Sequence, residues 1–271
     1  MTAISVVIPT CGRPTSLACA LGSVYEQSVL PQEVVVVDDT RGAQQEATAA
    51  VVARFQSRGA RLIGNDRVKG PSGARNCGVR HARGEMIAFL DDDDEWLPRY
   101  LGEVLRCIEA NGADVVCTDL MYRYDDGSER AGKSAPEVLA LNGFLIRNPG
   151  LIGSNLVIRR TLCQAIGGFD ESLPTYEDVD FGIRLSLQPG VRYTPLRQRL
   201  VRYYQHTRSR LCMRLGEPMS IGVRRYYELH GSRMSEAERE QFCDLVRTLW
   251  GVDEYGRDAG PVAAPAAAVV A

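Results

Sequence analysis

Residues 85–98 read EMIAFLDDDDEWLP, a short apolar run followed by five consecutive carboxylates, Asp91 to Glu95. A continuous apolar run of this length is typical of a strand buried on both faces, as in a parallel sheet. Like charges this close together repel each other, so ionising all five side chains has a cost in free energy. The stretch therefore predicts a buried strand whose end needs a partner for its negative charge.

The first 110 residues alternate similar apolar runs with helix-like stretches. The predicted strands are ISVVIP, EVVVVDD, ARLIG and EMIAFLDD, and the intervening helices begin near Pro14, Ala43 and Ser72. This alternation predicts an α/β fold with a mostly parallel, doubly wound sheet that helices cover on both sides. In such sheets ligands bind outside the carboxyl ends of the strands. The strand-end residues are therefore the first candidates for a functional site.

The second half of the chain has a different rhythm. After a helix near Pro98–Ala110, the segment ADVVCTDLMYRYDDGSE predicts a strand that enters a hairpin, and LIGSNLVIRR predicts a further strand. YEDVDFGIRLSL predicts a helix that begins with acidic residues. A strand-like RLVRYYQ precedes two amphipathic stretches, at about 215–230 and 235–250. We therefore expect a small sheet on this side, followed by a helical extension.

Charge and cysteine content exclude several classes of protein. The net charge of −2 gives no overall basic field for nucleic acid. The eight cysteines are scattered and include no CxxC pair, which favours free thiols in a reducing cytosol over disulfides or a zinc site.

No basic segment precedes the first apolar run and nowhere do 18 apolar residues run together, so the sequence predicts neither a signal peptide nor a transmembrane segment. We expect a cytoplasmic protein.

Three explanations fit the acid run. It is a solvated loop, it caps the helix that follows, or it holds a divalent cation. Capping accounts for one or two acids rather than five. Hard oxygen ligands suit Mg²⁺ or Mn²⁺, which bind through one or two carboxylates together with substrate phosphates, and a cation would remove the repulsion within the run.

A second pair of acids, Asp38 and Asp39, ends the second predicted strand. Either carboxylate is able to accept a hydrogen bond from the imide N–H of uracil or thymine, a donor that cytosine lacks. The alternative is that both acids only cap the next turn.

Four segments in order resemble the inverting glycosyltransferases of family 2, which have the GT-A fold. SVVIPTCGRP is similar to the family's first strand and loop, and VVVVDD is similar to its second strand. GARNCGVRHARGEMIAFLDDDDEWLP resembles the stretch that leads into the family's D-x-D motif, and GGFDESLPTYEDVDFGIRLSL resembles its acceptor segment with a Glu-Asp pair. The resemblance extends from about Ile4 to Ser209 and implies the GT-A fold.

The resemblance also implies roles for individual residues. The residues implied to bind the nucleotide sugar are Pro9, Thr10, Arg13, Asp38, Asp39, Arg75, Asn76, Asp91 and Asp92. Among them, Asp38 or Asp39 is implied to contact the base, and Asp92 is implied to contact the ribose. Those implied to hold the metal are Asp93, as the direct ligand, with Asp91 and His206. Asp94 and Glu95 are expected to face the start of a helix at Trp96.

The implied reaction is an inverting glycosyl transfer. The donor is a nucleoside-diphosphate sugar, with UDP or dTDP as nucleotide, and the cofactor is Mn²⁺ or Mg²⁺. Asp178, beside Glu177, matches the family's catalytic base, which takes a proton from the acceptor hydroxyl. The acceptor class stays open between a glycan, a lipid-linked intermediate and a small molecule.

The implied organisation has four parts. Residues 1–110 are the nucleotide-sugar-binding half, 111–210 the acceptor-binding half of the same GT-A domain, 211–258 a helical extension and 259–271 a disordered tail. We expect no nucleic-acid partner. The Arg- and Tyr-rich extension is compatible with peripheral membrane contact and with a homodimer.

Three other functions are compatible with parts of the sequence. GSERAGKS, residues 127–134, matches the P-loop pattern letter for letter, but two acids precede it and its context favours a hairpin over the required strand–loop–helix. A non-catalytic nucleotide-sugar-binding module is the second rival, since a fold does not fix a function. A nucleotidyltransferase, which also needs acids and a divalent ion, is the third.

Overall fold

A mixed sheet of nine strands forms the centre of the described fold. A computed structural model of the chain describes residues 2–40, 44–205 and 217–252. Its strands are β1 (Ile4–Thr10), β2 (Glu33–Asp38), β3 (Ala60–Gly64), β4 (Met86–Phe89), β5 (Glu95–Trp96), β6 (Val115–Tyr124), β7 (Glu129–Ala131), β8 (Leu156–Arg159) and β9 (Tyr193–Gln205). They lie in the order β3-β2-β1-β4-β8-β6-β9-β5, and β7 pairs with β6.

Strand direction divides this sheet into two blocks. β3, β2, β1 and β4 run parallel, whereas β8 is antiparallel to both of its neighbours, β4 and β6. Every residue of β2 is buried, as its continuous apolar run predicts for a central parallel strand. The predicted parallel block is confirmed, and the small sheet expected on the acceptor side continues from it through β8.

Helices cover both faces of the sheet, as predicted. They are α1 (Pro14–Tyr25), α2 (Gln44–Ala53), α3 (Pro71–His81), α4 (Tyr100–Asn111), α5 (Leu141–Leu145), α6 (Arg160–Ala165), α7 (Glu177–Ser186), α8 (Glu217–His230) and α9 (Glu236–Trp250). The second helix, which the sequence predicts over about residues 43–57, ends earlier, at Ala53, because Gln56–Arg58 form a separate 3-10 turn. None of the helices in the described ranges is both long and apolar enough to cross a bilayer.

Two hydrophobic cores lie on opposite faces of the sheet, because successive strand residues point to opposite sides. Val6 and Val34 belong to the core that α1 and α4 cover. Val7 and Val35 belong to the core that α3, α5, α7, α8 and α9 cover. The helical extension therefore shares a core with α7.

The segment GSERAGKS lies in the β6–β7 hairpin. Its central residues form β7, antiparallel to β6, and no helix begins in the described residues between β7 and Leu141. A P-loop requires a strand, the loop and a helix in immediate succession. The P-loop alternative is therefore wrong.

Gly78 allows α3 to pack closely on the sheet, since a β-carbon there would lie 2.3 Å from Val7 Cγ1 and 3.2 Å from Val37 Cγ2. Both valines are fully buried, and a close-packed core resists their movement. We expect Gly78→Ala to lower the free energy of unfolding by about 2 kcal/mol through overpacking. Urea denaturation measures the change.

Gly22→Ala is the matched control, because Gly22 also lies within a helix and a β-carbon there would meet no neighbouring atom within 4 Å. Removing a helical glycine without a clash should raise the free energy of unfolding by up to about 1 kcal/mol. Equal stabilisation by both substitutions would contradict the close packing of α3.

Candidate functional site

The predicted site residues gather at the edge of the sheet where β1, β2 and β4 end. β1 pairs in parallel with both other strands, and Thr10 at its end lies beside Asp38, with the buried Pro9 one residue earlier. The 3-10 turn Gly153–Asn155 and the acidic start of α7 complete this edge. We use the name carboxylate cluster for Asp91, Asp92, Asp93, Glu177 and Asp178.

Arg13 binds two acids of the carboxylate cluster. Its Nη1 donates to Asp93 Oδ2 at 2.6 Å and its Nε donates to Asp92 Oδ2 at 3.2 Å. Thr10 Oγ1 donates to the same Asp92 oxygen at 2.6 Å. Asp92 is fully buried. Burial raises the pKa of Asp92 to about 7, although the positive charge of Arg13 acts to lower it. Asp92 therefore fastens Thr10 and Arg13 to the end of β4, and its burial does not support the predicted contact with ribose.

Arg75 joins the end of β4 to the start of α7. Its Nη2 donates to Asp91 Oδ1 at 2.7 Å, and its Nη1 donates to Glu177 Oε1 at 3.2 Å. The side chain is only 4% exposed, and its guanidinium lies 5.1 Å from the centre of the Phe169 ring. Burial opposes the charge, but Asp91, Asp178 and Glu177 outweigh burial and raise the pKa of Arg75.

Asp178 has one oxygen that accepts no hydrogen bond from the described residues. The backbone N–H of Gly153 donates to its carboxylate, whereas Oδ1 is buried and has no hydrogen-bond partner in the described part of the chain. Burial and the adjacent Glu177 raise the pKa of Asp178 well above its ordinary range. A carboxylate with a raised pKa and an unused acceptor atom is suited to take a proton from a ligand hydroxyl.

The prediction that Asp94 and Glu95 face a helix start is wrong. Glu95–Trp96 form β5 instead, which pairs with β9. Asp94 Oδ2 accepts from Ser154 Oγ at 2.6 Å, and Asp94 Oδ1 accepts from the Tyr204 N–H at 3.0 Å. The Tyr204 hydroxyl donates to Glu95 Oε1 at 2.9 Å. These two acids therefore connect the acid run to β9.

Asp38 and Asp39 have different local roles. Asp39 uses both oxygens, since Oδ1 accepts from Asn65 Nδ2 at 2.7 Å and Oδ2 accepts from the Gly70 N–H at 2.8 Å. Asp38 Oδ1 accepts from the Thr40 N–H at 2.8 Å. Asp39 thus holds the loop between β3 and α3. Of the two predicted base contacts, Asp38 is the one with an oxygen that no described residue uses.

Asn76 lies next to Arg75 but faces the GGFDE segment. Its Nδ2 donates to Phe169 O and to Glu171 Oε1, both at 2.8 Å, and its Oδ1 accepts from the Phe169 N–H at 2.9 Å. These contacts fasten α3 to the segment that precedes α7. The structure does not bring Asn76 into the carboxylate cluster, and its contact with the donor stays a prediction.

The metal ligands also stay a prediction. Asp91 and Asp93 have side chains that are 24% and 13% exposed, and each contacts one arginine. Among the residues described, no three His, Cys, Asp or Glu side chains are arranged as a complete metal site. His206, the third predicted ligand, lies outside the described residues.

Comparison with known families decides the assignment of the chain. Residues 5–167 match the profile described as Glycosyl transferase family 2. That range is more than half of the chain and contains β1 to β4, the acid run and Arg75. The chain belongs to glycosyl transferase family 2. Glu177 and Asp178 lie beyond the matched range, so their assignment depends on the geometry described above.

Curated relatives agree with the family. The succinoglycan biosynthesis protein ExoO of Rhizobium meliloti is 34% identical over 156 residues, which are 58% of this chain and 43% of ExoO. The UDP-Glc:alpha-D-GlcNAc-diphosphoundecaprenol beta-1,3-glucosyltransferase WfgD of Escherichia coli is 27% identical over 185 residues, which are 68% of this chain and 69% of WfgD. The chain thus spans less than half of ExoO and about two thirds of WfgD.

A solved structure confirms the fold. S. aureus TarS 1-349, crystallised in complex with UDP-GlcNAc, matches with a TM-score of 0.66 at 20% identity, over 90% of this chain and 72% of that chain. Both the predicted GT-A fold and the predicted membership of a glycosyltransferase family are therefore confirmed.

In this family 2 chain, the helical extension packs on the turn that precedes α7. Tyr176, at the N-cap of α7, has φ +66°, a left-handed conformation that costs a non-glycine residue of the order of 1 kcal/mol. Its ring centroid lies 4.8 Å from that of Tyr226 in α8 and 5.7 Å from that of Trp250 in α9. A β-carbon on Gly222 would lie 1.9 Å from Thr175 Oγ1, so only glycine lets α8 approach this turn.

Asp180 ties α7 to α8. Its Oδ1 lies 2.9 Å from His230 Nε2, its Oδ2 accepts from Arg184 Nη2 at 2.6 Å, and both Asp180 and His230 are buried. Burial disfavours the charged carboxylate, but His230 and Arg184 outweigh burial and hold the pKa of Asp180 below its ordinary value. Asp180 is therefore a positioning residue for the helix that carries Asp178.

Sequence reasoning missed Ser154, Tyr176 and Asp180. Ser154 Oγ accepts from the Asp91 N–H at 3.0 Å and donates to Asp94. The polar GSN triplet directly ahead of the apolar β8 is a signal that points to Ser154. No local signal marks Tyr176, because the helix that forces its conformation lies at least 40 residues later in the sequence.

We expect Asp180→Asn to lower the free energy of unfolding by about 3 kcal/mol at pH 7, because it breaks a buried ion pair. The folded-state pKa of Asp180 lies below the unfolded value of about 4, so the pair stabilises the fold above that pH. The stabilisation is lost as the pH falls through the folded-state pKa. Urea denaturation should therefore show a difference between wild type and variant that shrinks below about pH 4.

Asp244→Asn is the matched control, since Asp244 pairs with Arg247 at 3.1 Å but its side chain is 76% exposed. Its effect should stay within about 0.5 kcal/mol. An equally small effect of Asp180→Asn at pH 7 would contradict the role of Asp180.

Proposed function

We propose that this chain transfers a sugar from a nucleoside-diphosphate donor to an acceptor hydroxyl, with inversion at the anomeric carbon. The observation that carries the proposal is the junction at Arg75, where the strand-end acid Asp91 meets Glu177 and the base candidate Asp178. Membership of glycosyl transferase family 2 supports sugar transfer. WfgD is named for the donor UDP-Glc, and TarS was crystallised in complex with UDP-GlcNAc. Both favour UDP over dTDP as the nucleotide.

We assign the donor nucleotide to the ends of β1 and β2. Asp38 has an oxygen available for the imide N–H of uracil, and Thr10 ends the neighbouring strand. The Arg13 side chain is 34% exposed, so it is able to contact donor phosphate while it holds Asp92 and Asp93. The predicted contact of Asn76 with the donor is kept as part of this assignment.

The acids of the cluster fit Mn²⁺ or Mg²⁺. Asp91 and Asp93 supply hard carboxylate oxygens, and we assign Asp93 as the direct ligand, with His206 as a further ligand. Mg²⁺ typically binds through one or two carboxylates and substrate phosphates. When bound, the cation neutralises charge on the departing nucleoside diphosphate.

We assign Asp178 as the general base. Its Oδ1 has no hydrogen-bond donor in the described chain and its pKa is raised, so it is suited to accept the proton of the attacking hydroxyl. Glu177 is held by Arg75 and adds to the raised pKa of Asp178. Attack from the face opposite the nucleotide then gives inversion.

The acceptor named for WfgD is a diphosphoundecaprenol-linked sugar. A lipid-linked sugar is therefore our first choice of acceptor for this chain, ahead of a free glycan or a small molecule. Such an acceptor would bring the protein to a membrane surface, in agreement with the predicted peripheral contact.

We expect Asp178→Asn to lower kcat by roughly 100-fold or more, because a general base contributes about 10²–10⁴ in rate. Its affinity for UDP with Mn²⁺ should stay within about threefold of wild type, since an uncharged base still leaves the donor site intact. UDP release from UDP-sugars in the presence of an acceptor measures kcat, and isothermal titration calorimetry measures UDP affinity.

Asp126→Asn, at an exposed turn, is the control and should retain full activity. Full transfer by Asp178→Asn would overturn the base assignment. Donor binding by wild type without any transfer would indicate a non-catalytic module, and release of pyrophosphate instead of UDP would indicate a nucleotidyltransferase.

A further inference from the structure

A second charged groove lies between the segment that follows β7 and the loop that precedes the turn Gly153–Asn155. Its volume is about 470 Å³, and its lining includes Lys133, Ser134, Glu137, Arg147, Asn148 and Arg197. This volume lies within the range of small-ligand sites in proteins. We call it the basic groove, because three of these side chains are cationic and one is acidic.

Two cations of the basic groove have no ion-pair partner among the residues that the structure describes. Lys133 Nζ donates to the Asn148 carbonyl at 3.1 Å. Neither Lys133 nor Arg147 forms an ion pair with a carboxylate of residues 2–40, 44–205 or 217–252. Burial and the nearby Arg147 lower the pKa of Lys133, which means that both oppose its charge. Uncompensated positive charge in a concave surface favours a bound anion.

The third cation has a structural role. Arg197 Nη1 lies 3.3 Å from Asp119 Oδ1, and the guanidinium also contacts Glu137 and the Ala135 carbonyl. Its charge is therefore balanced within the protein. Arg197 shapes the wall of the basic groove, and Lys133 and Arg147 supply the capacity to bind an anion.

The basic groove is connected to the base candidate by a short, well-bonded loop. Asn148 Oδ1 accepts from the N–H groups of Gly150 and Leu151 at 2.8 and 2.9 Å, and the Gly153 N–H donates to Asp178. An extended chain spans at most about 3.5 Å per residue, so Asn148 lies within roughly 18 Å of Gly153. This short separation places the basic groove in the same acceptor-side part of the fold as the Gly153 N–H that binds Asp178.

We infer that the basic groove binds a phosphate ester or diphosphate group of the acceptor, while the acceptor hydroxyl lies at Asp178. Lysine and arginine N–H groups form charge-assisted hydrogen bonds with phosphate oxygens, and the exposed Ser134 adds a hydroxyl donor. The inference rests on the proposed glycosyl transfer and narrows its acceptor to a phosphorylated one. The donor phosphates are assigned to the opposite side of β8, near Arg13 and Asp93.

Calorimetric titration with dodecyl diphosphate tests the inference. The full chain is first saturated with UDP and Mn²⁺, so that the donor site is filled. Wild type should bind dodecyl diphosphate, and Lys133→Met and Arg147→Gln should each weaken that binding roughly tenfold by removing one charge-assisted contact. Added salt should weaken it as well. Inorganic phosphate should compete, because the phosphate group itself is recognised.

Arg106→Gln is the matched control, because Arg106 is 67% exposed on α4, on the other face of the sheet. It should bind dodecyl diphosphate as wild type does, and UDP affinity should be unchanged in all three variants. Arg147 is exposed, so Arg147→Gln should fold even where Lys133→Met does not.

The inference would be overturned if dodecyl diphosphate did not bind to the UDP-saturated wild type. It would also be overturned if wild type and Arg147→Gln bound dodecyl diphosphate equally well. Competition by phosphatidylglycerol vesicles but not by inorganic phosphate would also overturn it, in favour of a membrane contact. A wild type that fails to bind UDP at all would instead contradict the proposed function, which keeps the two failures separate.

Discussion

The buried guanidinium of Arg75 is the interaction on which the site depends. It bonds Asp91, 16 residues later in the chain, and Glu177, 102 residues later. Without that charge, Asp91, Glu177 and Asp178 would repel one another at the meeting point of β4 and α7. Arg75 therefore joins the parallel block directly to the segment that carries the base.

The charge of the carboxylate cluster is only partly balanced. Arg13 and Arg75 supply two positive charges to its five carboxylates, and Asp92 and Asp178 respond with raised pKa values. This residual negative charge is the electrostatic basis of the proposal that a divalent cation binds there. The basic groove has the opposite imbalance, at Lys133 and Arg147. Donor and acceptor would then be separated by charge across the turn Gly153–Asn155.

Local patterns predicted the elements well and the long-range contacts poorly. The burial of β2 could be predicted from its run of valines, and the strand-end position of the acids after β4 could be predicted from the apolar residues before them. Both properties follow from a few adjacent residues. The burial and the hydrogen-bond partners of each acid could not be predicted in this way. Asp92 is buried and Asp94 bonds Tyr204, because residues 60–110 positions away supply their partners. The strained Tyr176 likewise depends on α8 and α9, which no local pattern places against it.

The melting temperature of the protein, measured with a panel of UDP- and dTDP-sugars in the presence and absence of Mn²⁺, tests whether the carboxylate cluster is a donor site. A ligand that binds only the folded state raises the melting temperature, and the rise grows with the logarithm of ligand concentration over Kd. We predict that at least one UDP-sugar raises it, that Mn²⁺ enlarges the rise, and that Asp93→Asn removes the part due to Mn²⁺. No shift with any nucleotide sugar, with or without the metal, would contradict the assignment of the carboxylate cluster as a donor site.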